Sequence, residues 1–84
     1  MTNSLHYPID FEAYSIDEIE TLVDFLASIE AYHEHARSVS KDVLVKKHQT
    51  FRSILNNKAE EKRIDRDFKK QTGISIYRTM QSLK

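Results

Sequence analysis

The histidines and carboxylates near the end of the first predicted helix are the residues whose types suggest metal binding. His33, Glu34 and His35 are consecutive, but residues two apart on a helix point to nearly opposite sides, so the two histidines cannot share one ion. Glu30, three residues before His33, could supply a ligand, but a metal site in a helical bundle needs others from facing helices. His48 is the obvious candidate, and its place in an apolar stripe favours a half-buried structural role. We therefore predict no metal site.

The hydroxyl and carboxylate groups show no pattern typical of an active site. The chain has no cysteine, which excludes a thiol nucleophile, a thiolate zinc site and a disulfide. No histidine stands in a recognisable relation to a serine or threonine, and carboxylate pairs such as Asp17 with Glu20 suit the positive end of a helix dipole. A single glycine rules out a glycine-rich phosphate loop. We therefore predict no enzymatic activity, no catalytic residue and no cofactor.

Basic residues of the second and third predicted helices could bind the phosphates of a nucleic acid. Such binding needs a contiguous basic surface free of acids, and Asp65 and Asp67 interrupt the third helix. Asp67 is also spaced to pair with Arg63 and with Lys70, and no nucleic-acid-binding motif is present. Weak nucleic-acid binding is thus the alternative function. Its main candidate residues are Lys46, Lys47, Arg63, Arg66 and Lys70, and the wider basic set adds Arg52, Lys58, Lys62, Lys69, Arg78 and Lys84.

The charges are divided unevenly along the chain, although the formal net charge is zero. Residues 1–40 carry eight acids and one base, whereas residues 41–84 carry twelve bases and five acids. Such a division marks either an anion-binding half or two halves that pack on each other with complementary potentials. For a compact domain we favour the second interpretation, which predicts that acids of helix one face bases of helices two and three.

Cap residues and apolar spacing predict four helices that must position these groups. Ser15-Ile16-Asp17-Glu18 and Asn57-Lys58-Ala59-Glu60 both have the capping-box pattern, and Ser40 and Ser75 are further N-cap candidates. Gly73 is placed to end the third helix in a left-handed conformation. The predicted helices cover about residues 16–36, 41–55, 58–72 and 76–83, and residues 1–14 are predicted to form an extended arm whose aromatic side chains pack across them.

Apolar residues recur at helical spacing between these caps and predict the core. The first helix presents a stripe from Ile16 to Ile29, with Phe25 and Tyr32 beside it, and Tyr77 is predicted to anchor the last helix. The stripe positions are Ile16, Ile19, Leu22, Val23, Leu26 and Ile29 in helix one, Leu44, His48, Phe51, Ile54 and Leu55 in helix two, Ala59, Ile64 and Phe68 in helix three, and Ile76, Tyr77, Met80 and Leu83 in helix four.

Length and composition indicate a single all-α domain: a compact bundle of three helices, a short fourth helix and the N-terminal arm. Eighty-four residues make one folding unit, and one glycine and one proline are too few turn-forming residues for a β-sheet. No apolar run approaches the roughly 20 residues of a membrane span. Because residues 1–5 have neither a basic nor an apolar leader segment, a cytoplasmic location is expected.

Several short phrases, in their order and spacing, resemble a known family. They are Tyr7-Pro8-Ile9-Asp10, Asp17-Glu18-Ile19, Ile29-Glu30-Ala31-Tyr32, Phe51-Arg52-Ser53-Ile54-Leu55, Asn57-Lys58-Ala59-Glu60-Glu61-Lys62 and Thr72-Gly73-Ile74-Ser75-Ile76-Tyr77-Arg78. Together they are similar to the YktA-like family of uncharacterised small proteins from low-GC Gram-positive bacteria. The resemblance implies a compact helical fold and no assigned activity. Tyr14 stands where the family tends to have tryptophan, and Asn56-Asn57 replaces a shorter, proline-containing link.

A protein-interaction module is the function that remains when the other classes are removed. An apolar arm and few catalytic groups fit this interpretation, and exposed Phe25, Tyr32 and Val45 would form a patch for self-association or for a partner helix. The partner could be an unknown protein or a second copy of the chain, and no membrane partner is expected. The interaction candidates are Tyr7, Asp10, Tyr77 and Arg78.

Overall fold

The structure, a computed structural model, describes residues 7–83 and confirms the all-α fold class. Its helices are α1 (Ile16–Glu34), α2 (Lys41–Leu55), α3 (Lys58–Thr72) and α4 (Ile76–Ser82), with a 3-10 turn at Ala36–Ser38 between α1 and α2. In chain order, each helix packs against the next. Over residues 7–83, none of the helices combines the length and the apolar character that crossing a bilayer requires. Residues 1–6 of the predicted arm, and Lys84 of the basic set, lie outside the described residues.

The helices begin at the caps that the sequence predicts. Ser15 Oγ accepts the amide of Glu18 at 3.2 Å, and the Glu18 carboxylate accepts the amide of Ser15 at 2.9 Å, which closes the predicted capping box. The Asn57 side chain accepts two amides in the first turn of α3, so its capping role is also confirmed. The second capping box is wrong, because the Glu60 carboxylate binds Arg63 instead of returning to the cap.

The helix ends differ from the prediction mainly after α1. This helix stops at Glu34 rather than at residue 36, and the Ser38 hydroxyl donates to the carbonyl of His35 at 2.7 Å and of Ala31 at 3.3 Å. A serine that satisfies carbonyls in the last turn favours a turn over further helix. Gly73 ends α3 with a φ of 80°, the left-handed conformation expected of it. The fourth helix ends one residue early, which is ordinary fraying.

On α1 the core differs from the predicted stripe at two positions: it includes Phe25, which was predicted beside the stripe, and it lacks Ile16, the first residue of the stripe. Phe25, predicted beside the stripe, is fully buried, and its ring centroid lies 4.6 Å from that of Phe51 because α2 packs over this side of α1. Ile16 is 76% exposed, since the first residue of α1 projects beyond the packed helices. The predicted patch is therefore wrong for Phe25, while Tyr32 is half-buried and Val45 is 37% exposed. The core residues are Ile9, Leu22, Phe25, Leu26, Ile29, Leu44, Phe51, Leu55, Ile64, Phe68, Ile76 and Met80.

Residues 7–14 run across the helices before α1 begins. Ile9 is buried, the Tyr7 ring lies 6.2 Å from the ring of Phe68 between centroids, and Tyr14 also packs against the core, as predicted for the arm. The prediction is wrong for Phe11, which is 57% exposed. The arm is not extended throughout: the Ala13 amide donates to the Asp10 carbonyl at 3.0 Å and closes a turn. The arm therefore covers one side of the bundle.

Candidate functional site

A groove of about 760 Å³ lies between α2, α3 and α4, and it is the candidate site. Its floor belongs to the core, because Phe51, Ile76 and Met80 line it and are at most 8% exposed. Its apolar walls include Tyr77 and Val45, which are 65% and 37% exposed. The complete lining is Val45, His48, Gln49, Phe51, Arg52, Lys58, Glu61, Lys62, Asp65, Ser75, Ile76, Tyr77, Arg78, Met80, Gln81 and Leu83.

The rim of the groove is basic. Lys58, Lys62 and Arg78 are exposed and form no ion pair with any of residues 7–83. The fourth base, Arg52, lies 3.3 Å from Glu61 across the gap between α2 and α3. The groove therefore combines an apolar floor with three cations whose charge is not neutralised within the described chain, an arrangement that attracts an anionic and partly apolar ligand.

Asp65 fixes the helix that carries Tyr77 and Arg78. Its carboxylate accepts the amide of Ile76 at 2.8 Å and that of Tyr77 at 3.4 Å, and Ser75 Oγ accepts the Arg78 amide at 3.2 Å. Asp65 and Ser75 thus satisfy amides at the start of α4 that have no partner within the helix. Asp65 keeps its negative charge in this position, and with Glu61 it is one of two acids against four bases in the groove lining.

The structure places two of the four predicted interaction residues in the groove. The anchoring role predicted for Tyr77 is wrong: Ile76, Thr79 and Met80 are the buried residues of α4, and the helical turn directs Tyr77 outward. Arg78 follows it onto the exposed surface, where it bonds no acid of helix one.

Tyr7 and Asp10, the other two, hold the N-terminal arm. The Tyr7 hydroxyl donates to Glu30 Oε1, and burial together with this hydrogen bond raises the pKa of Tyr7 to about 12. The Asp10 carboxylate accepts the Glu12 amide at 2.9 Å and supports the turn of the arm. Neither residue lines the groove.

A second polar cluster joins the arm to α3 on the side away from the groove. Arg63 donates to both carboxylate oxygens of Glu60 at 2.8 Å and to Asp67 at 3.2 Å, and it reaches the Pro8 carbonyl at 3.4 Å. Tyr14 donates to Glu60 at 3.1 Å. The hydrogen bond from Arg63 lowers the pKa of Glu60, the bond to Glu60 raises that of Arg63, and burial raises that of Tyr14. These hydrogen bonds join the arm to α3, so we assign the network a role in stabilising the fold.

The predicted basic surface is divided by these contacts. Arg63 is taken up by the cluster just described, and Lys47 pairs with Asp24 at 2.8 Å while donating to Ser28 Oγ at 2.9 Å. These two residues therefore hold the bundle together. Lys46, Arg66 and Lys70 remain exposed and outside the groove, with Arg66 at 3.7 Å from Asp67.

The pairing predicted between the acidic and basic halves is wrong except at one place. Within residues 7–83, Asp24 with Lys47 is the single ion pair that joins the two halves. The remaining ion pairs of this range lie inside the basic half, because the acids of α3 are nearer to its bases than α1 is. Most charge on both halves is thus left facing solvent.

The histidines take structural positions. Thr79 Oγ1 donates to the Ser75 carbonyl at 2.8 Å and lies within hydrogen-bond distance of His33 Nε2, at 2.7 Å. The contact ties the end of α1 to α4. His48 stacks on Phe25 with ring centroids 5.5 Å apart. Among residues 7–83, no three histidine, aspartate or glutamate side chains are grouped as metal ligands.

The basic rim formed by Lys58, Lys62 and Arg78 was not predicted as one surface, although part of the pattern is present in the sequence. Lys58 and Lys62 are four residues apart and therefore share a face of α3. The main candidates predicted on this helix were nevertheless Arg63, Arg66 and Lys70. No local pattern reveals that α4 returns beside α2 to complete the groove.

Comparison with known proteins gives a consistent result over nearly the whole chain. The model of the Uncharacterised protein family (UPF0223) matches residues 4–84. A UPF0223 protein of Streptococcus uberis is 36% identical over 84 residues, which are 100% of this chain and 88% of the relative. A UPF0223 protein of Bacillus cytotoxicus is 40% identical over 78 residues, which are 93% of this chain and 84% of the relative. No solved structure gives a significant match.

Proposed function

The chain belongs to the Uncharacterised protein family (UPF0223), and from this premise we propose that it is a protein-interaction module whose groove binds an acidic, amphipathic segment of a protein. This membership confirms that the chain belongs to an uncharacterised family, as the resemblance implied. The relatives in Streptococcus and Bacillus confirm that the family occurs in low-GC Gram-positive bacteria. The observation that carries the proposal is the pairing of exposed Tyr77 with three unneutralised cations above an apolar floor.

The chemistry of the groove favours binding over catalysis, and we propose that the protein is not an enzyme. The two carboxylates of its lining are already engaged, Glu61 by Arg52 and Asp65 by the amides of α4. An engaged carboxylate is poorly placed to accept a substrate proton. A tyrosine and a basic rim around an apolar centre are instead typical of protein interfaces.

A photo-cross-linking amino acid in place of Tyr77 tests the proposal inside a Bacillus cell. We expect an adduct with a protein, and mass spectrometry should map it to a segment rich in acids and apolar residues. The matched control carries the cross-linker at Lys46, which is exposed on α2 but does not line the groove. Equal adduct formation at both positions, or none at Tyr77, would contradict the proposal.

Charge reversal on the rim provides the second test. Lys62→Glu with Arg78→Glu should remove the Tyr77 adduct, since both substitutions place negative charge beside an acidic ligand. The control pair, Lys46→Glu with Lys70→Glu, makes the same change in net charge on residues outside the groove and should leave the adduct in place.

Nucleic-acid binding is the second candidate, and the exposed bases of α3 favour it. Lys58, Lys62, Arg66 and Lys69 are spaced by four, four and three residues, so they form a stripe along one side of the helix. A salt titration with a DNA or RNA oligonucleotide tests it, because phosphate contacts weaken steeply as salt rises. Absence of binding at about 50 mM salt would remove this candidate.

We also propose a cytoplasmic location. The chain has no cysteine, so its fold depends on no disulfide and on no oxidising compartment. Fractionation of a Bacillus cell tests this directly: recovery of the protein with the cell wall or in the medium would contradict it.

A further inference from the structure

The segment before and at the start of α1 has the composition that the groove requires. Phe11 is 57% exposed and Ile16 is 76% exposed, although both are large apolar residues. Exposed carboxylates lie within four residues of them along the chain, and none of these carboxylates forms an ion pair with any of residues 7–83. We name this surface the acidic patch: Asp10, Phe11, Glu12, Ile16, Asp17 and Glu20.

The acidic patch and the groove are complementary in charge and in apolar character. The patch offers two exposed apolar side chains among four carboxylates, and the groove offers Tyr77 and Val45 among Lys58, Lys62 and Arg78. Four of the five large apolar residues exposed in the described chain belong to these two surfaces. Exposed apolar groups bordered by polar ones are typical of interaction sites.

The charge division of the chain gives an independent reason to connect the two surfaces. Asp24 with Lys47 is the single ion pair between the acidic half and the basic half within residues 7–83, so folding of one copy leaves most of the charge of both halves without an ion-pair partner in the other half. Contact between the patch of one copy and the groove of another would bring these charges together and would cover the apolar groups at the same time.

We propose that the segment bound in the groove is the acidic patch of a second copy of this chain. This inference rests on the proposed function, in which the groove binds an acidic, amphipathic protein segment. Two copies related by a two-fold axis close into a dimer when both patch-to-groove contacts form together, which is an isologous interface. A single patch-to-groove contact is heterologous, and the copies then add head to tail as concentration rises. A nucleic acid would neutralise the rim but would leave Phe11 and Ile16 uncovered.

Sedimentation velocity on the purified full chain tests the inference first. We expect the weight-average mass to rise with protein concentration at about 0.05 M salt and to fall toward that of the monomer at about 1 M salt, where the Debye length is only about 3 Å. A monomer at all concentrations up to about 1 mM at low salt, beyond the range of weak specific association, would overturn the inference.

Two charge-reversed variants then identify the surfaces. The groove variant carries Lys62→Glu and Arg78→Glu, and the patch variant carries Glu12→Lys, Asp17→Lys and Glu20→Lys, so that Asp10 is the one carboxylate left in the reversed patch. Each variant alone should be monomeric, because its two surfaces then have the same sign. An equimolar mixture should associate again, since each reversed surface meets the other reversed surface and each native surface meets the other native one.

Circular dichroism and the control variant separate this result from loss of fold. A misfolded variant would not regain association on mixing, so recovery in the mixture demonstrates a specific contact. The control pair Lys46→Glu with Lys70→Glu should associate as the unmodified chain does. Association that survives in either reversed variant, or that fails to return in the mixture of two folded variants, would overturn the inference.

The outcome also distinguishes this inference from the proposed function. A Tyr77 cross-link to a different protein, with a monomeric purified chain, would keep the proposed function and reject the second copy as occupant. A cross-link of twice the chain mass would support both. Cross-links to nucleic acid alone would reject both.

Discussion

On the side of α3 that meets the N-terminal arm, Glu60, Arg63 and Asp67 form one hydrogen-bonded group. On the side that borders the groove, Lys58 and Lys62 bond to no carboxylate among the described residues. Both sides carry charged residues, yet on one side these residues bond to one another and hold the fold, and on the other side Lys58 and Lys62 stay available. The number of charges on a helix therefore does not show whether they stabilise the fold or stay available for binding, whereas the partner of each charge does.

The neighbours of the two sides explain the contrast. Arg63 is flanked at three and four residues by acids of its own helix and donates to the Pro8 carbonyl of the arm, while Tyr14 of the arm donates to its partner Glu60. Lys62 faces the space between three helices, where Asp65 is already committed to the amides of α4. The side that is covered is thus stabilising, and the side that is open is suited to binding.

The largest difference in stability should appear between two aromatic substitutions, one at Phe68, which packs against the arm, and one at Tyr77, which lines the groove. Phe68→Ala deletes a fully buried ring against which Tyr7 packs, and it should lower the free energy of unfolding by about 3–5 kcal/mol. Tyr77→Ala removes a ring that is 65% exposed, and it should change that free energy by less than about 0.5 kcal/mol. Urea unfolding measures both. If Phe68→Ala is unfolded from the outset, Phe68→Leu gives a smaller, measurable loss.

The next contrast compares adjacent bases on the two sides. Arg63→Gln removes hydrogen bonds to two carboxylates and should cost about 1–2 kcal/mol after allowance for partial exposure. Lys62→Gln removes no bond to a carboxylate of the described chain and should stay within about 0.5 kcal/mol. Equal shifts in the urea midpoint for both variants would show that the two sides do not differ as described.

Local signals predicted the fold well, because the helix boundaries depend on residues close in sequence. Ser15, Asn57 and Gly73 each act within a few residues of their own position. The orientation of α4 was not predictable in this way. Ile76 and Tyr77 are adjacent, and which of them is buried depends on how α4 sits against α3, where Asp65 accepts the amides of both residues.

The candidate site was predicted less well than the fold because it depends on contacts between helices. Tyr77 and Arg78 were singled out as interaction residues, and both line the groove, but the reason given for Tyr77 was wrong. The pairing of charged halves failed for a related cause. Sequence shows how many acids and bases each half has, but Arg63 takes its partners from α3 because they are closer than α1.

Asp65 and Asp67, two residues apart on α3, belong to opposite sides of the helix, and their substitutions should have different effects. Asp65→Ala removes an acceptor for the first amides of α4 and should cost about 1 kcal/mol, as the loss of a helix cap does. Because α4 carries Tyr77 and Arg78, the same variant should also weaken self-association. Asp67→Ala, on the arm side, should lower stability by a similar or smaller amount and leave association unchanged. Urea unfolding and sedimentation velocity together give the two readouts, and weakened association in both variants would contradict the division.

The smallest expected effect is a pH dependence confined to the arm side. The hydrogen bond from Arg63 lowers the pKa of Glu60 below its ordinary value of 4.5, so the folded state favours the ionised carboxylate. The stabilisation is therefore present above the unfolded-state pKa and is lost as the pH falls through the lower folded-state pKa. Glu60→Gln should remove this part of the acid sensitivity, below about 1 kcal/mol after screening by solvent. Lys62→Gln should leave the acid limb of the stability curve unchanged, since Lys62 does not contact Glu60. A curve for Glu60→Gln with the unmodified slope between about pH 5 and pH 3 would show that the arm-side cluster does not stabilise the fold through its ionised form.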